Sequence, residues 1–96
     1  MRLEIITPEQ EIFKGDADAV QLPGLDGSFQ VLNGHAPIIS GLTAGTLKID
    51  LPVPFDSGEK SSDLIEKDKS NARIIRVPIK GGVVEMFNNK LIILAE

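Results

Sequence analysis

Hydrophobic residues along this chain recur mostly at every second position, in short runs interrupted by polar and turn-forming residues. Leu3 and Ile5 alternate with Arg2 and Glu4, Val20 and Leu22 with Ala19 and Gln21, and Phe29 and Val31 with Ser28 and Gln30. The same period sets Leu47, Ile49 and Leu51 against Thr46, Lys48 and Asp50, and Ile75, Val77 and Ile79 against Ile74, Arg76 and Pro78. Val84 and Met86 flank Glu85, and Leu91-Ile92-Ile93-Leu94-Ala95 is an unbroken apolar run that suits a buried strand. A period of two puts alternate side chains on opposite faces of a strand. Several such runs separated by turn signals predict an all-β fold, an antiparallel β-sandwich of roughly eight to ten short strands.

The punctuation between runs sharpens this picture. Asn88-Asn89 predicts a tight hairpin, because Asn tolerates positive φ. Gly81-Gly82 predicts a bulge or a sharp turn into the next strand. Pro78 belongs at a strand edge or near a strand end, since it cannot donate to the ladder. Residues 52–72 break the pattern: Pro52 and Pro54 lead into a polar stretch from Asp56 to Asn71 whose only apolar pair is Leu64-Ile65. This composition reads as a long mobile loop inserted between two strands of a single domain spanning residues 1–96. A short helical turn from Ser62 to Lys69 is the alternative, with Ser62 as its cap and Glu66 near capping-box spacing.

Composition narrows the function. With 96 residues the chain can bury one small core and has little surplus stability to support a strained active site. A net charge of −4 leaves no basic footprint for nucleic acid. The chain has no Cys, so disulfides and thiolate metal sites are excluded. No apolar run approaches the roughly 18–20 residues of a membrane-spanning helix, so membrane association is expected only through a protein partner. Residues 1–6 contain Arg2 and Glu4 and lack the apolar segment of a signal peptide.

Catalytic chemistry is equally thin. His35 is the only histidine, which rules out a His pair or a His-based metal site. No Gly-x-Ser-x-Gly elbow occurs. Gly24-Leu25-Asp26-Gly27 and Gly41-Leu42-Thr43-Ala44-Gly45 lack the Lys-Ser/Thr of a phosphate loop and read as turns. No carboxylate pair has the apolar surroundings that raise a pKa. The expectation is a chain with no catalytic residues, no cofactor, no metal and no bound nucleotide.

The informative stretch runs from Leu22 to Ile39: a strand ends at Pro23-Gly24, Asp26-Gly27 turns, and a short strand leads into Gly34-His35-Ala36-Pro37-Ile38-Ile39. It resembles the signature region of the epsilon subunit of F-type ATP synthases. Four further segments agree in order. Leu3-Glu4-Ile5-Ile6-Thr7-Pro8-Glu9 is similar to the family's first strand and its exit, and Phe13-Lys14-Gly15 to its second turn. Gly45-Thr46-Leu47-Lys48-Ile49 follows at the usual distance, and the segments at 81–86 and 88–96 resemble the closing hairpin. Asn33 stands where many members carry Pro, Ser28 where many carry an acidic residue, and residues 52–72 look like an insertion. Typical members continue past the final strand into a regulatory two-helix hairpin, whereas this sequence stops at Glu96.

The resemblance implies a non-catalytic rotor subunit on the cytoplasmic face of the bacterial inner membrane. Such a subunit clamps the central stalk's gamma subunit against the membrane c-ring, so that proton flow is coupled to ATP synthesis on other subunits. It implies ring-facing candidates at Asp26, Gly27, Ser28, Asn33, Gly34, His35 and Pro37. Each has a plainer role as well: Asp26 as a turn former, His35 as a pin for its own loop, Pro37 as a stiffener. A reading from another class is a generic β-sandwich adhesion or carbohydrate-binding module. Such modules present aromatic platforms, and this chain has no Trp, no Tyr and four Phe at mostly core-like positions.

Overall fold

The computed structural model describes residues 1–56 and 62–96. Those residues form ten strands and no helix. The strands are β1 (Arg2–Ile6), β2 (Glu11–Asp16), β3 (Ala19–Gly24), β4 (Gly27–Leu32), β5 (Ile38–Leu42), β6 (Gly45–Asp50), β7 (Glu66–Lys67), β8 (Ile74–Ile79), β9 (Gly82–Phe87) and β10 (Lys90–Ala95). Hydrogen bonding runs through them in the order β2-β1-β10-β9-β5-β3-β6-β8-β7, with β4 on the other edge of β3.

The continuous sheet divides into two layers at β3. Ala19, Val20 and Gln21 pair with β6, whereas only Gly24 pairs with β5, at Leu42. Pro23 lies between these two stretches, and its carbonyl accepts the Thr43 N–H at 2.8 Å. A proline has no N–H to continue the ladder, so the change of partner falls where the backbone cannot pair on. One layer is β2-β1-β10-β9-β5 and the other β4-β3-β6-β8-β7. The sheet curls so that their inner faces share one core, the sandwich expected from the alternation.

That core is built from the alternating positions. Leu3, Ile5, Val84, Met86, Leu91 and Ile93 come from the first layer, and Val20, Leu22, Val31, Leu47, Ile49, Ile75 and Val77 from the second. No polar or charged residue is buried among the described residues. Each fully buried aliphatic side chain contributes about 1.5–3 kcal/mol, most of which offsets the entropy of ordering the chain.

Several local expectations meet the structure directly. Asn88 and Asn89 adopt φ values of 51° and 58° and close the hairpin between β9 and β10. Gly82 has φ of 147°, and a Cβ there would run into the Leu94 carbonyl. A bulge that no expectation had placed falls at Ile12, where the register of β1 against β2 shifts between Ile5 and Ile6. Pro78 lies near the end of β8, past the two residues that β7 covers.

Other expectations need correcting. The sheet is not antiparallel throughout: β1 pairs with β10 in parallel, Leu3 beside Leu91 and Ile5 beside Ile93. The last apolar run is not buried as a whole. Leu91, Ile93 and Ala95 face the core, but Leu94 points outward and is exposed. The described flanks of the segment 52–72, read above as a mobile loop, have contacts of their own. Phe55 and Ile65 pack against the core, Phe55 N–H donates to Ala72 O, and Glu66 and Lys67 pair with Arg76 and Ile75. Asp68 ties its far side down: Oδ1 accepts from Arg76 Nη1 at 2.7 Å, and Oδ2 accepts from the Ser70 and Asn71 backbone. No helical turn forms near Ser62, whose carbonyl and Oγ instead accept from Ile65 N–H and Leu64 N–H in a tight turn. The middle of the expected loop, 57–61, lies outside the described residues.

Candidate functional site

The two outer faces of the sandwich differ in chemistry. Across the second layer, Gln30, Gln21, Lys48, Arg76 and Glu66 stand in one row from β4 to β7. The first layer presents apolar rows instead. Ile6, Leu94 and Val83 align across β1, β10 and β9, and Ile92 aligns with Glu85 and Ile39 across β10, β9 and β5. Ile39 is 77% exposed, Phe87 58%, Leu94 54% and Val83 45%. Leu25, also exposed, lies over Gly41 of β5, where a Cβ would press on its side chain. The strip is therefore wider than any one strand.

Charge borders this strip on the β1 and β2 side. Glu4 accepts from Lys90 at 3.0 Å and faces Lys14 at 4.0 Å, and Arg2 stands 3.8 Å from Asp16. The hydrogen bond from Lys90 holds the Glu4 carboxyl below its ordinary value, aided by the nearby charges of Lys90, Lys14 and Arg2. The outer face is thus mainly apolar toward β5, β9 and the far half of β10, with Glu85 exposed among these hydrophobic residues, and ionic toward β2.

The seven sequence-predicted residues fall into two groups rather than one. Asp26, Gly27 and Ser28 form the exposed turn that enters β4, with Gly27 at φ of 121°. Asn33, Gly34, His35 and Pro37 follow the other end of β4. Four extended residues of β4, from Phe29 to Leu32, lie between Ser28 and Asn33. At about 3.3 Å per residue, they set the two groups roughly 17 Å or more apart along the chain direction. The turn borders Ile39, Ser40 and Gly41, whereas Pro37 joins Ile39, Glu85 and Phe87 around a shallow depression. Ile39 touches both neighbourhoods, so the apolar strip connects what β4 separates.

Residues 33–37 pair with no strand, and a few hydrogen bonds shape them. The His35 N–H donates to Leu32 O at 3.1 Å, and Gly34 N–H donates to Asn89 Oδ1 at 2.8 Å. Asn33 Oδ1 accepts from the Met1 amino group, which also donates to Ala17 O at 2.9 Å. His35 Nδ1 lies 2.6 Å from Ala36 O, a contact that is favourable when Nδ1 carries a proton and donates to the carbonyl. Gly34 sits at φ of 76° with open space where a Cβ would point, so conformation and not crowding calls for glycine there.

Among the described residues, no group of three or more His, Asp or Glu side chains converges in a way that could hold a metal. The depressions are shallow and open, and the lone histidine is engaged with its own neighbour.

Comparison with known proteins places this surface in context. The family described as ATP synthase, Delta/Epsilon chain, beta-sandwich domain matches residues 1–53. The ATP synthase epsilon chain of Chlorobium limicola is 35% identical over 95 residues, covering 99% of this chain and 88% of that protein. The epsilon chain of Desulforamulus reducens is 30% identical over 95 residues, which is 99% of this chain and 58% of that protein. Among solved structures, a chain of the Euglena gracilis mitochondrial ATP synthase matches 97% of this chain and 48% of its own length, with a TM-score of 0.70 at 17% identity. A chain from the central stalk and c-ring structure of the Tetrahymena thermophila mitochondrial enzyme covers 98% of this chain and 61% of its own length, with a TM-score of 0.65 at 18% identity. At these identities the structural likenesses show a shared fold over 97–98% of this chain. With a family match over its first half and a relative aligned nearly end to end, this chain belongs to the epsilon chain family of ATP synthases.

Proposed function

We propose that this chain is a non-catalytic central-stalk subunit that joins the gamma subunit to the c-ring and so helps couple proton translocation to ATP synthesis. Its place would be peripheral, at the cytoplasmic face of a bacterial inner membrane. The observation that carries the proposal is the apolar outer strip of Ile39, Val83, Phe87 and Leu94 on a family member. Leaving large aliphatic and aromatic groups in water on three adjacent strands is unfavourable unless a partner covers them. A stalk that transmits torque needs stiff parts, and the packed sheets of this sandwich resist deformation.

In this reading the strip seats gamma, and the ring contact is drawn from the turn at 26–28 and the loop at 33–37. The test is co-purification of the tagged chain with gamma and c-ring subunits from membranes. Recovery of both with wild type, and loss of gamma when Phe87 and Leu94 are both replaced by Lys, is the expected result. Retention of gamma by the folded double variant would remove the strip from the interface. Titration with Mg-ATP should show no saturable heat at micromolar to low-millimolar concentrations, as expected of a subunit that works by contact alone.

A further inference from the structure

We infer that Asn89 is a positioning residue for the loop 33–37, and that the hairpin turn between β9 and β10 sets that loop's attitude through one side-chain amide. The inference rests on the proposed docking role of the loop for its functional meaning, though its structural content stands apart from it. Residues 33–37 lie outside every strand, so ladder bonds do not hold them. Gly34 N–H reaches across 55 residues of sequence to Asn89 Oδ1 at 2.8 Å. The Asn89 main chain is anchored in its turn, because its carbonyl accepts from Arg2 N–H at 3.0 Å at the start of β1. The amide therefore links the loop to the point where the first and last strands of the sheet meet.

The turn by itself does not require this side chain. Asn89 sits at φ of 58°, a conformation that Gly adopts at least as readily. Glycine at 89 would keep the hairpin and remove only the tether. Aspartate at 89 tolerates the same φ and retains an oxygen able to accept from Gly34 N–H. The two substitutions separate turn geometry from tethering. The tether also bears on binding: a loop held in one attitude before docking loses less freedom on contact than a loose one.

The experiment compares wild type, Asn89→Gly and Asn89→Asp as full-length chains, by amide hydrogen exchange in NMR and by assembly with gamma and c-ring. Asn89→Gly is expected to lower protection at the Gly34 amide by about threefold to tenfold, the size that one net hydrogen bond supplies. Amides in the core strands should keep their protection, and Asn89→Asp should restore most of what Gly34 loses. Unchanged Gly34 protection in Asn89→Gly would overturn the inference, as would equal loss in Asn89→Asp. The assembly measurement is read separately. Weakened assembly in Asn89→Gly, rescued by Asp, supports positioning for docking. A loosened loop with undiminished assembly would overturn the docking role of residues 33–37 and leave the tether itself established.

Discussion

Gly24 of β3 pairs with Leu42 of β5, and among the described residues this ladder contact joins the two layers of the sandwich. The site admits no side chain at 24. A Cβ there would lie 2.6 Å from Gly27 O and 2.8 Å from the Phe29 ring. The carbonyl belongs to backbone in a tight turn and cannot swing aside as a side chain would. Gly24→Ala is therefore expected to destabilise the fold by about 2–3 kcal/mol, within the usual cost of overpacking. Urea unfolding followed by circular dichroism checks this. A change below about 0.5 kcal/mol would show that the turn at 26 and 27 yields freely.

Asp68 gives the segment that carries β7 a pH dependence. Bonds from Arg76 first, and then from Ser70 and Asn71, hold its carboxyl well below its ordinary value of 3.8. A carboxylate depressed in the folded state adds stability above its unfolded value, and that contribution disappears as pH falls through the folded value. The loss is thus expected below about pH 4. Asp68→Asn should remove this part of the acid sensitivity and lower protection of the Glu66 and Lys67 amides. Glu4, depressed chiefly by Lys90, acts in the same direction from its ordinary value of 4.5. An Asp68→Asn variant with an unaltered acid-side slope would assign the acid dependence elsewhere.

How much of this was legible in sequence follows from where each element takes its stability. β6 and β8 were readable because Leu47, Ile49, Ile75 and Val77 alternate inward and form cross-strand pairs on the core face. The hairpin at Asn88 and Asn89 was readable because its φ values demand special residues. β7 was hidden, since Glu66 and Lys67 have no apolar pattern and form a strand only because the edge of β8 is open to them. The parallel pairing of β1 with β10 was hidden for a related reason: no local signal marks which distant strand becomes a neighbour. The apolar strip was partly masked, because Leu94 sits in a run that reads as wholly buried and Phe87 follows a run of core positions. The candidate ring residues were legible as a motif, but their division by β4 is a property of three dimensions.

The apolar strip can be changed without touching the core. Phe87 and Leu94 point away from it and are more than half exposed. Phe87→Lys and Leu94→Lys together should alter unfolding free energy by no more than about 1 kcal/mol. If the strip seats gamma, the same pair should abolish co-purification, because burying two ammonium groups against an apolar surface is costly. Thermal unfolding of the free chain and pull-down from membranes give the two readings independently.

The division of the ring candidates by β4 calls for two single variants where one double variant would merge two sites. Asp26 is exposed at the turn, and among the described residues no hydrogen bond or ion pair holds its side chain, so Asp26→Lys changes charge with little structural consequence. Charge at a rim acts mainly on association rate and salt dependence. If the turn meets basic loops of the ring, Asp26→Lys should slow assembly most at low salt and leave dissociation nearly unchanged. His35 is half-buried, and its ring nitrogen bonds Ala36 O, so His35→Ala loosens the loop as well as removing a contact. If the loop docks, that variant should speed dissociation and show little salt dependence. ATP-driven proton pumping in reconstituted vesicles, with circular dichroism of each free variant, reads the outcome. A folded Asp26→Lys variant with normal coupling at low salt would remove the turn from the ring contact. A folded His35→Ala variant with normal coupling would remove His35 from the contact and leave it as a pin for its own loop. Two separate effects, one salt-dependent and one not, are what a ring contact shared between the two ends of β4 requires.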